Sequence, residues 1–343
     1  MSRRDGILAL FDASGFGLEV GPSYNPLLPK SEGFRVETID YADQAELQRK
    51  YAANPTVDAS RIEPVDYVSD GRPMRQVIGE EGRYDFILAS HVIEHTPDMI
   101  GFLRDCESLL KPDGVLVLAV PDKRCCFDVF QRLTSTGEVL DAHRLGRTRP
   151  SFGSIFDAVA YGAKQDGAPG WPKGSTGDRQ LVHSVEQAGF VARQSEETGR
   201  YTDVHVWRFV PSSFELILHD LHAIGAIGLR LDTLQSSDEM LAVLSRSGRG
   251  SARSRTELLA AALEEHAYEH VAPLAEQLAA ERAHPAIERE RDHLAALLAD
   301  AQAQTERIDA ELRAAREEID ALRSSTSWKV TSPLRAVRGL IGN

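Results

Sequence analysis

In the stretch SHVIEHTPD, residues 90–98, two histidines and a glutamate fall within five positions: His91, Glu94 and His95. Imidazole is the side chain that gains or loses its proton near neutral pH, and beside a carboxylate it also ligates divalent metals. The spacing i, i+3, i+4 puts all three on one side of a helical turn before Pro97 ends it. Three chemistries stay open. His91 or His95 acts as a general base on a hydroxyl, a weak nucleophile that a base of pKa near 7 helps most. Alternatively, His91, Glu94 and His95 bind a divalent metal that orients and acidifies the hydroxyl. In the third reading Glu94 and His95 only hold their loop and shape a neighbouring pocket. Other polar clusters stand further on: Asp122-Lys123-Arg124, Asp141-Ala142-His143 and Asp203-Val204-His205-Val206-Trp207. His205 joins the candidate catalytic residues, and His143 or His205 can complete a metal site. Trp207 either stacks on a planar or sugar acceptor or is buried for structural reasons.

The stretch follows the apolar run YDFILAS, 84–90, one of several such runs. The others are FGLEV (16–20), FRVETID (34–40), IEPVDYV (62–68) and GVLVLAVP (114–121). Near-continuous apolar strands separated by helical stretches predict βαβ units around a parallel, doubly wound α/β sheet. Asp98 is placed to cap a helix with Ile100, Leu103 and Leu110 on one face, ended by LLKPDG, 109–114. A helix over 211–225, with Pro in its first turn, and two strands over 226–234 and 239–246 predict an antiparallel hairpin closing the sheet. The segment 122–206 is an insertion over the end of the sheet, and its part 162–177 is loop-like.

Ligands of such sheets bind beyond the carboxyl ends of the strands, at the switch point. The first strand ends in LEVGPSYNP, with Gly21 alone where a dinucleotide fold needs three glycines. That argues against NAD or FAD and fits a nucleoside without pyrophosphate. Glu19 stands just before the turn. Asp40 ends the second strand, where a carboxylate accepts both hydroxyls of a ribose. Asp70, in Ser69-Asp70-Gly71, is placed for an adenine amino group.

LEVGP, Asp40, SDG, YDFILASHVIEH and LLKPDGVLVLAVP, in this order and spacing, resemble a class I S-adenosylmethionine-dependent methyltransferase. The likeness covers residues 16–121 and is closest to the group that includes the ubiquinone-pathway O-methyltransferases. It implies a Rossmann-like sheet and S-adenosyl-L-methionine as cofactor. It places Glu19 and Gly21 at the methionine portion, Asp40 at the ribose and Asp70 at the adenine, with Ser90 completing the cofactor set. GPSYNP departs from the family's glycine-rich turn. His-x-x-Glu-His is also similar to the Glu-x-x-Glu-His metal motif of small-RNA 3′-end methyltransferases, with His91 replacing the first glutamate.

After SRSGRGSARSR, 245–255, the composition turns to Ala, Leu, Glu and Arg. Between Ile287 and Leu322 one seam holds Ile287, Leu294, Ala301, Ile308, Ala315 and Leu322, the other Arg291, Leu298, Thr305, Leu312 and Ile319. That heptad predicts a coiled coil about 54 Å long, through which the chain pairs with itself or a partner protein. The tail SSTSWKVTSPLRAVRGLIGN, 324–343, is basic and amphipathic and suits a membrane surface or a partner. The helix and tail resemble those of bacterial proteins that build cell-surface polysaccharides. That likeness implies O-methylation of a saccharide hydroxyl on a glycan or lipid-linked precursor, at the inner face of the cytoplasmic membrane. The expected organisation is a methyltransferase domain (1–248), a linker (249–256), a helical region (257–323) and the tail.

A net charge of −13 across 343 residues gives nucleic acid no basic footprint. Cys106, Cys125 and Cys126 form no disulfide framework and suit a reducing cytoplasm. No signal peptide or membrane span is expected. A reading from another class is a catalytically idle scaffold that organises a glycosyltransferase assembly through its coiled coil.

Overall fold

A computed structural model describes residues 2–267 and 285–326, with side chains in the second stretch described from 289 onward. The chain divides into two units, Met1–Val271 and Ala272–Asn343.

The first unit is built on a seven-stranded sheet of order β3-β2-β1-β4-β5-β9-β8. The strands are β1 (Gly17–Val20), β2 (Val36–Asp40), β3 (Tyr67–Val68), β4 (Tyr84–Ser90), β5 (Leu110–Pro121), β8 (Arg230–Ser236) and β9 (Glu239–Ser245). β1 to β5 run parallel, and β9 pairs antiparallel with both β5 and β8. The closing hairpin is therefore as expected. The chain order reverses between β1 and β4, which is the switch point. Leu18, Ile87, Leu88, Leu116 and Leu118 are fully buried, as strands covered on both faces require. Gly17 admits no side chain, since a Cβ there would sit 2.0 Å from the Phe86 ring.

α1 (Arg3–Leu8) packs Ile7 under one face of the sheet, and α2 (Gln44–Tyr51) and α3 (Met74–Ile78) follow β2 and β3. α4 (Met99–Leu109) opens on the expected cap, the Asp98 carboxylate accepting from Gly101 N at 2.9 Å. Ile100, Leu103 and Cys106 carry its apolar face into the main core beside α8 (Pro211–Ala223). β5 follows α4 directly at Leu110, earlier than the run GVLVLAVP suggests, with a register shift opposite Tyr84–Phe86. β3 is only two residues long. Pro64 offers no donor to a ladder, and the Asp66 carboxylate instead takes the amide of Thr38 at 2.7 Å.

The insertion folds as α5 (Thr136–Arg144), α6 (Phe152–Ala160), a small hairpin of β6 (Ala163–Gln165) and β7 (Arg179–Leu181), and α7 (Val185–Thr198). Part of the expected loop 162–177 is thus strand. It is anchored by Trp171, whose indole N–H donates to the Arg124 carbonyl at 2.8 Å.

The expected linker at 249–256 is instead part of the first unit. Gly250 N donates to Leu231 O, Arg253 pairs with Glu215, and Arg255 meets Asp220 at 2.6 Å. A helix, α9, runs over 255–267 and buries Leu258 and Ala262. Its Glu265 accepts from Ser212 N at 2.9 Å and Ser212 Oγ at 2.7 Å. Basic residues that look like flexible punctuation thus meet acids along α8, and the division falls at 271/272.

The second unit contains α10 (Pro285–Ser324), a helix of 40 residues and roughly 60 Å. Leu294, Leu298, Ile308, Leu312, Ile319 and Leu322 of the two seams are exposed in the single chain. Residues 268–284, the side chain of Ile287 and the tail from 327 onward lie outside the described residues.

Candidate active site

The carboxyl ends of β1, β2 and β4 form one edge, with Val20 level with both Ile39 and Ala89. Gly21 turns the chain there at φ +65°, and a Cβ on it would come 3.1 Å from the Val92 side chain. Only glycine passes this point without strain. Asp40, buried at the end of β2, accepts Ser23 N and Tyr41 N, both at 2.8 Å. Burial raises its pKa in spite of those bonds. A carboxylate has about four lone-pair sites, so acceptor capacity remains. Asp70 is exposed beyond β3 and bound by Arg72 at 2.8 Å, a pairing that lowers its pKa. Ser90 Oγ accepts from the Arg3 guanidinium at 2.8 Å.

Glu19 is used in a way its position on β1 does not announce. Its two oxygens accept Leu27 N at 2.7 Å and Leu28 N at 3.1 Å, so the carboxylate fastens the loop after β1. Its partners are backbone amides, not the strand edge where the methionine portion was expected. Burial raises its pKa to about 7, outweighing the two amides that favour the charged form.

Of the three, His91 and Glu94 stay together, His91 Nδ1 lying 3.5 Å from Glu94 Oε1. His91 has φ +54°, and its ring leaves the turn to meet Glu239 of β9 at 2.9 Å. Arg3 grips the same Glu239 through two bonds of 2.6 and 2.8 Å. Burial would raise the pKa of Glu239, but His91 and Arg3 bring it down to about 2. Glu94 and His95 lie in a 3₁₀ turn, Ile93–His95, with Glu94 directed inward and fully buried. His95 Nδ1 sits 2.8 Å from Asp203, close enough for an ion pair but without hydrogen-bond alignment. Burial opposes the charged form of His95, and Asp203 and Glu94 outweigh it, raising its pKa.

His205 enters from the insertion. Its Nδ1 is 2.5 Å from Asp128, its Nε2 lies 4.0 Å from Glu94 Oε1, and its ring stands edge-on to His95 at 4.7 Å. The structure therefore gathers Glu94, His95 and His205, with Asp128 behind, and sets His91 between Glu239 at 2.9 Å and Glu94 at 3.5 Å. His143 pairs with Asp98 at the start of α4, not with Glu94. Trp207 is buried, its indole bonded to Thr96 O at 2.6 Å, which is the structural reading of that residue. Lys123, at the end of β5, is buried with its amine on Val129 O at 2.6 Å, and burial lowers its pKa to about 8. Asp128, Arg3 and Glu239 escaped the sequence reading. Asp128 is 77 residues from His205, and Glu239 is 236 from Arg3, so no local spacing signals either pair.

A family model described as "Methyltransferase domain" matches residues 3–194, more than half of the chain. The chain belongs to this family. The cofactor is S-adenosylmethionine, and two residues of the strand edge just described suit it. Gly21, which leaves the chain close to a ligand, and Asp40, with acceptor capacity to spare, fit a nucleoside there. Among curated proteins, a ubiquinone biosynthesis O-methyltransferase of Rhodopseudomonas palustris (strain HaA2) is 38% identical over 68 residues, covering 20% of this chain and 25% of that protein. Another from Actinobacillus pleuropneumoniae is 31% identical over 87 residues, covering 24% and 35%. The chain thus spans between 18% and 35% of the length of the curated methyltransferases it matches. Among solved structures, the CcbJ methyltransferase of Streptomyces caelestis is 14% identical, covers 71% of this chain and 96% of that one, and gives a TM-score of 0.36. The trans-methyltransferase CalH, solved with S-adenosylhomocysteine, is 13% identical, covers 70% and 54%, and gives 0.35. No helix among the described residues is long and apolar enough to cross a membrane.

Proposed function

We propose that this methyltransferase moves the methyl group of S-adenosylmethionine to a hydroxyl oxygen, and that the hydroxyl belongs to a saccharide used in building a cell-surface glycan. The oxygen forms a bond to the methyl carbon as the carbon–sulfur bond breaks, leaving S-adenosylhomocysteine. The hydroxyl proton passes to the carboxylate–imidazole cluster of Glu94, His95 and His205. The observation that carries hydroxyl activation is His205 itself. Asp128 takes Nδ1 at 2.5 Å, which leaves Nε2 as the acceptor nitrogen facing the cluster. Gly21, Asp40, Asp70 and Ser90 would line the cofactor, and alignment of the oxygen with the sulfonium methyl is the main catalytic demand. The saccharide rests on the likeness of the C-terminal helix and tail to polysaccharide-building proteins, and the tail would bring the chain to the membrane face.

The exposed seam of α10 suits a second copy of this chain, parallel and in register. With Leu298, Thr305, Leu312 and Ile319 in one core row, the flanking Glu311 faces the partner's Arg316, and Glu318 faces the partner's Arg323.

The test is transfer of labelled methyl from S-adenosylmethionine to lipid-linked and free oligosaccharides. Label recovered as a base-stable methyl ether on a sugar is expected. Label lost to mild base, found on an amine, or not transferred would refute the reading.

A further inference from the structure

Glu94 is fully buried, and neither carboxylate oxygen has a hydrogen-bond partner. Other buried acids of this unit are served. Glu19 and Asp40 each take two backbone amides, Asp122 takes Arg124, and Asp128 takes His205 and Gln131. A buried carboxylate without hydrogen-bond donors is costly, and its nearest imidazole nitrogens, His91 Nδ1 at 3.5 Å and His205 Nε2 at 4.0 Å, make no hydrogen bond to it, so this arrangement suits a cation. What surrounds Glu94 can hold one. Ligand atoms from Glu94, His95 and His205 all lie within 4.8 Å of one another. Each imidazole also has a carboxylate beside its Nδ1: Asp128 for His205 and Asp203 for His95. That is how metal-binding histidines are held, with the other ring nitrogen left for the ion.

We propose that Glu94, His95 and His205 bind one divalent transition-metal ion. Two nitrogens and one carboxylate favour manganese, iron, cobalt, nickel or zinc over magnesium or calcium. Donors about 2.1 Å from one ion in tetrahedral geometry are about 3.4 Å apart, so the cluster, whose ligand atoms lie within 4.8 Å of one another, closes by up to about 1.4 Å on binding. A second grouping, Cys126, Asp128 and His205, shares His205. It is the weaker candidate, because Asp128 already accepts from His205 and Gln131 and burial holds the Cys126 thiol protonated. Three protein ligands leave positions open. The ion's role rests on the methyl-transfer reading, although its binding does not. With His205 Nε2 on the ion, the ion would take over the activation assigned above to the imidazole: an acceptor hydroxyl in an open position would be acidified, its proton leaving to water and its oxygen keeping the pair that attacks the methyl.

The experiment uses the full chain, freed of any histidine tag and stripped with chelator. It is titrated with Zn²⁺ and Mn²⁺, and bound metal is measured by atomic emission after desalting. One ion per chain is expected for at least one of these metals, with ligand-field absorption when Co²⁺ is used instead. Glu94→Gln should abolish stoichiometric binding. Asp128→Asn, which touches no ion, should weaken it about 10–100-fold, and His143→Ala should leave it unchanged. No stoichiometric ion in the folded wild type, or equal binding by Glu94→Gln, overturns the site. S-adenosylhomocysteine is titrated on the same samples. Cofactor binding without metal sinks the metal site alone. Metal binding without cofactor binding supports the site and sinks the methyl-transfer reading.

Discussion

Glu19 makes the unit's stability depend on pH in a direction opposite to most carboxylates. It is only 3% exposed, and burial lifts its pKa from 4.5 to about 7. The folded chain therefore keeps a proton that the unfolded chain has already lost, across roughly pH 4.5 to 7. The unfolded state binds fewer protons in that window, so stability falls as pH rises. The contribution is fully present below pH 4.5 and gone above the folded pKa. At about 1.36 kcal/mol for each unit, the loss is about 3 kcal/mol. Glu19→Gln has no proton to lose. Relative to the protonated wild type it costs about 1–3 kcal/mol, because its amide N–H₂ faces one of the donors at Leu27 and Leu28. The assay is urea unfolding of wild type and variant at pH 5, 6, 7 and 8, followed by the fluorescence of buried Trp171 and Trp207. The stability advantage of wild type over variant should shrink by about 2.5 kcal/mol between about pH 5 and pH 8. Parallel pH profiles would mean that Glu19 is ionised in the fold and that the two amides outweigh burial.

Three further outcomes are expected. Asp40→Ala should remove detectable S-adenosylhomocysteine binding in a calorimetric titration, since each charged hydrogen bond to the ribose is worth about 1.5–3 kcal/mol. Unchanged affinity would place the ribose elsewhere. Truncation after Val271 should leave the first unit's unfolding midpoint intact. Truncation after Ser247 should lower its stability by several kcal/mol, because Leu258 is withdrawn from its site and Ser212 and Glu215 lose their partners; equal midpoints would return 249–267 to the status of a linker. Glu311→Lys should weaken self-association measured by analytical ultracentrifugation, and Arg316→Glu mixed with it should restore a heterodimer; no association in the wild type would leave α10 to another partner.

The sheet was legible because its strands are short, apolar and separated by helices that announce themselves. Asp98 lies at the start of α4 and Pro211 at the start of α8, and both act as their types demand. The edge residues Gly21 and Asp40 could be placed because strand ends are fixed by the same pattern. The histidine cluster was less legible. A helical turn was assumed at His91, whereas a left-handed residue there turns its ring toward Glu239, a partner 148 residues away. Glu94 keeps His91 at 3.5 Å and adds His205 at 4.0 Å, a contact that depends on how the insertion folds back. The basic stretch at 245–255 misled for a similar reason. Its arginines look solvated until the acids of α8 come alongside, and that pairing is purely tertiary.

The antiparallel place of β9 has a consequence for synthesis. β9 covers β5 along Leu116–Pro121, yet it follows that edge by more than a hundred residues. At about 5–20 residues per second, a ribosome leaves the β5 edge bare for roughly 6–25 s after Pro121 is made. An apolar, unpaired strand is a template for mispairing with other chains. The nascent chain should therefore engage chaperones most strongly between the emergence of β5 and that of β9, and release them when Glu239 reaches Arg3 and His91.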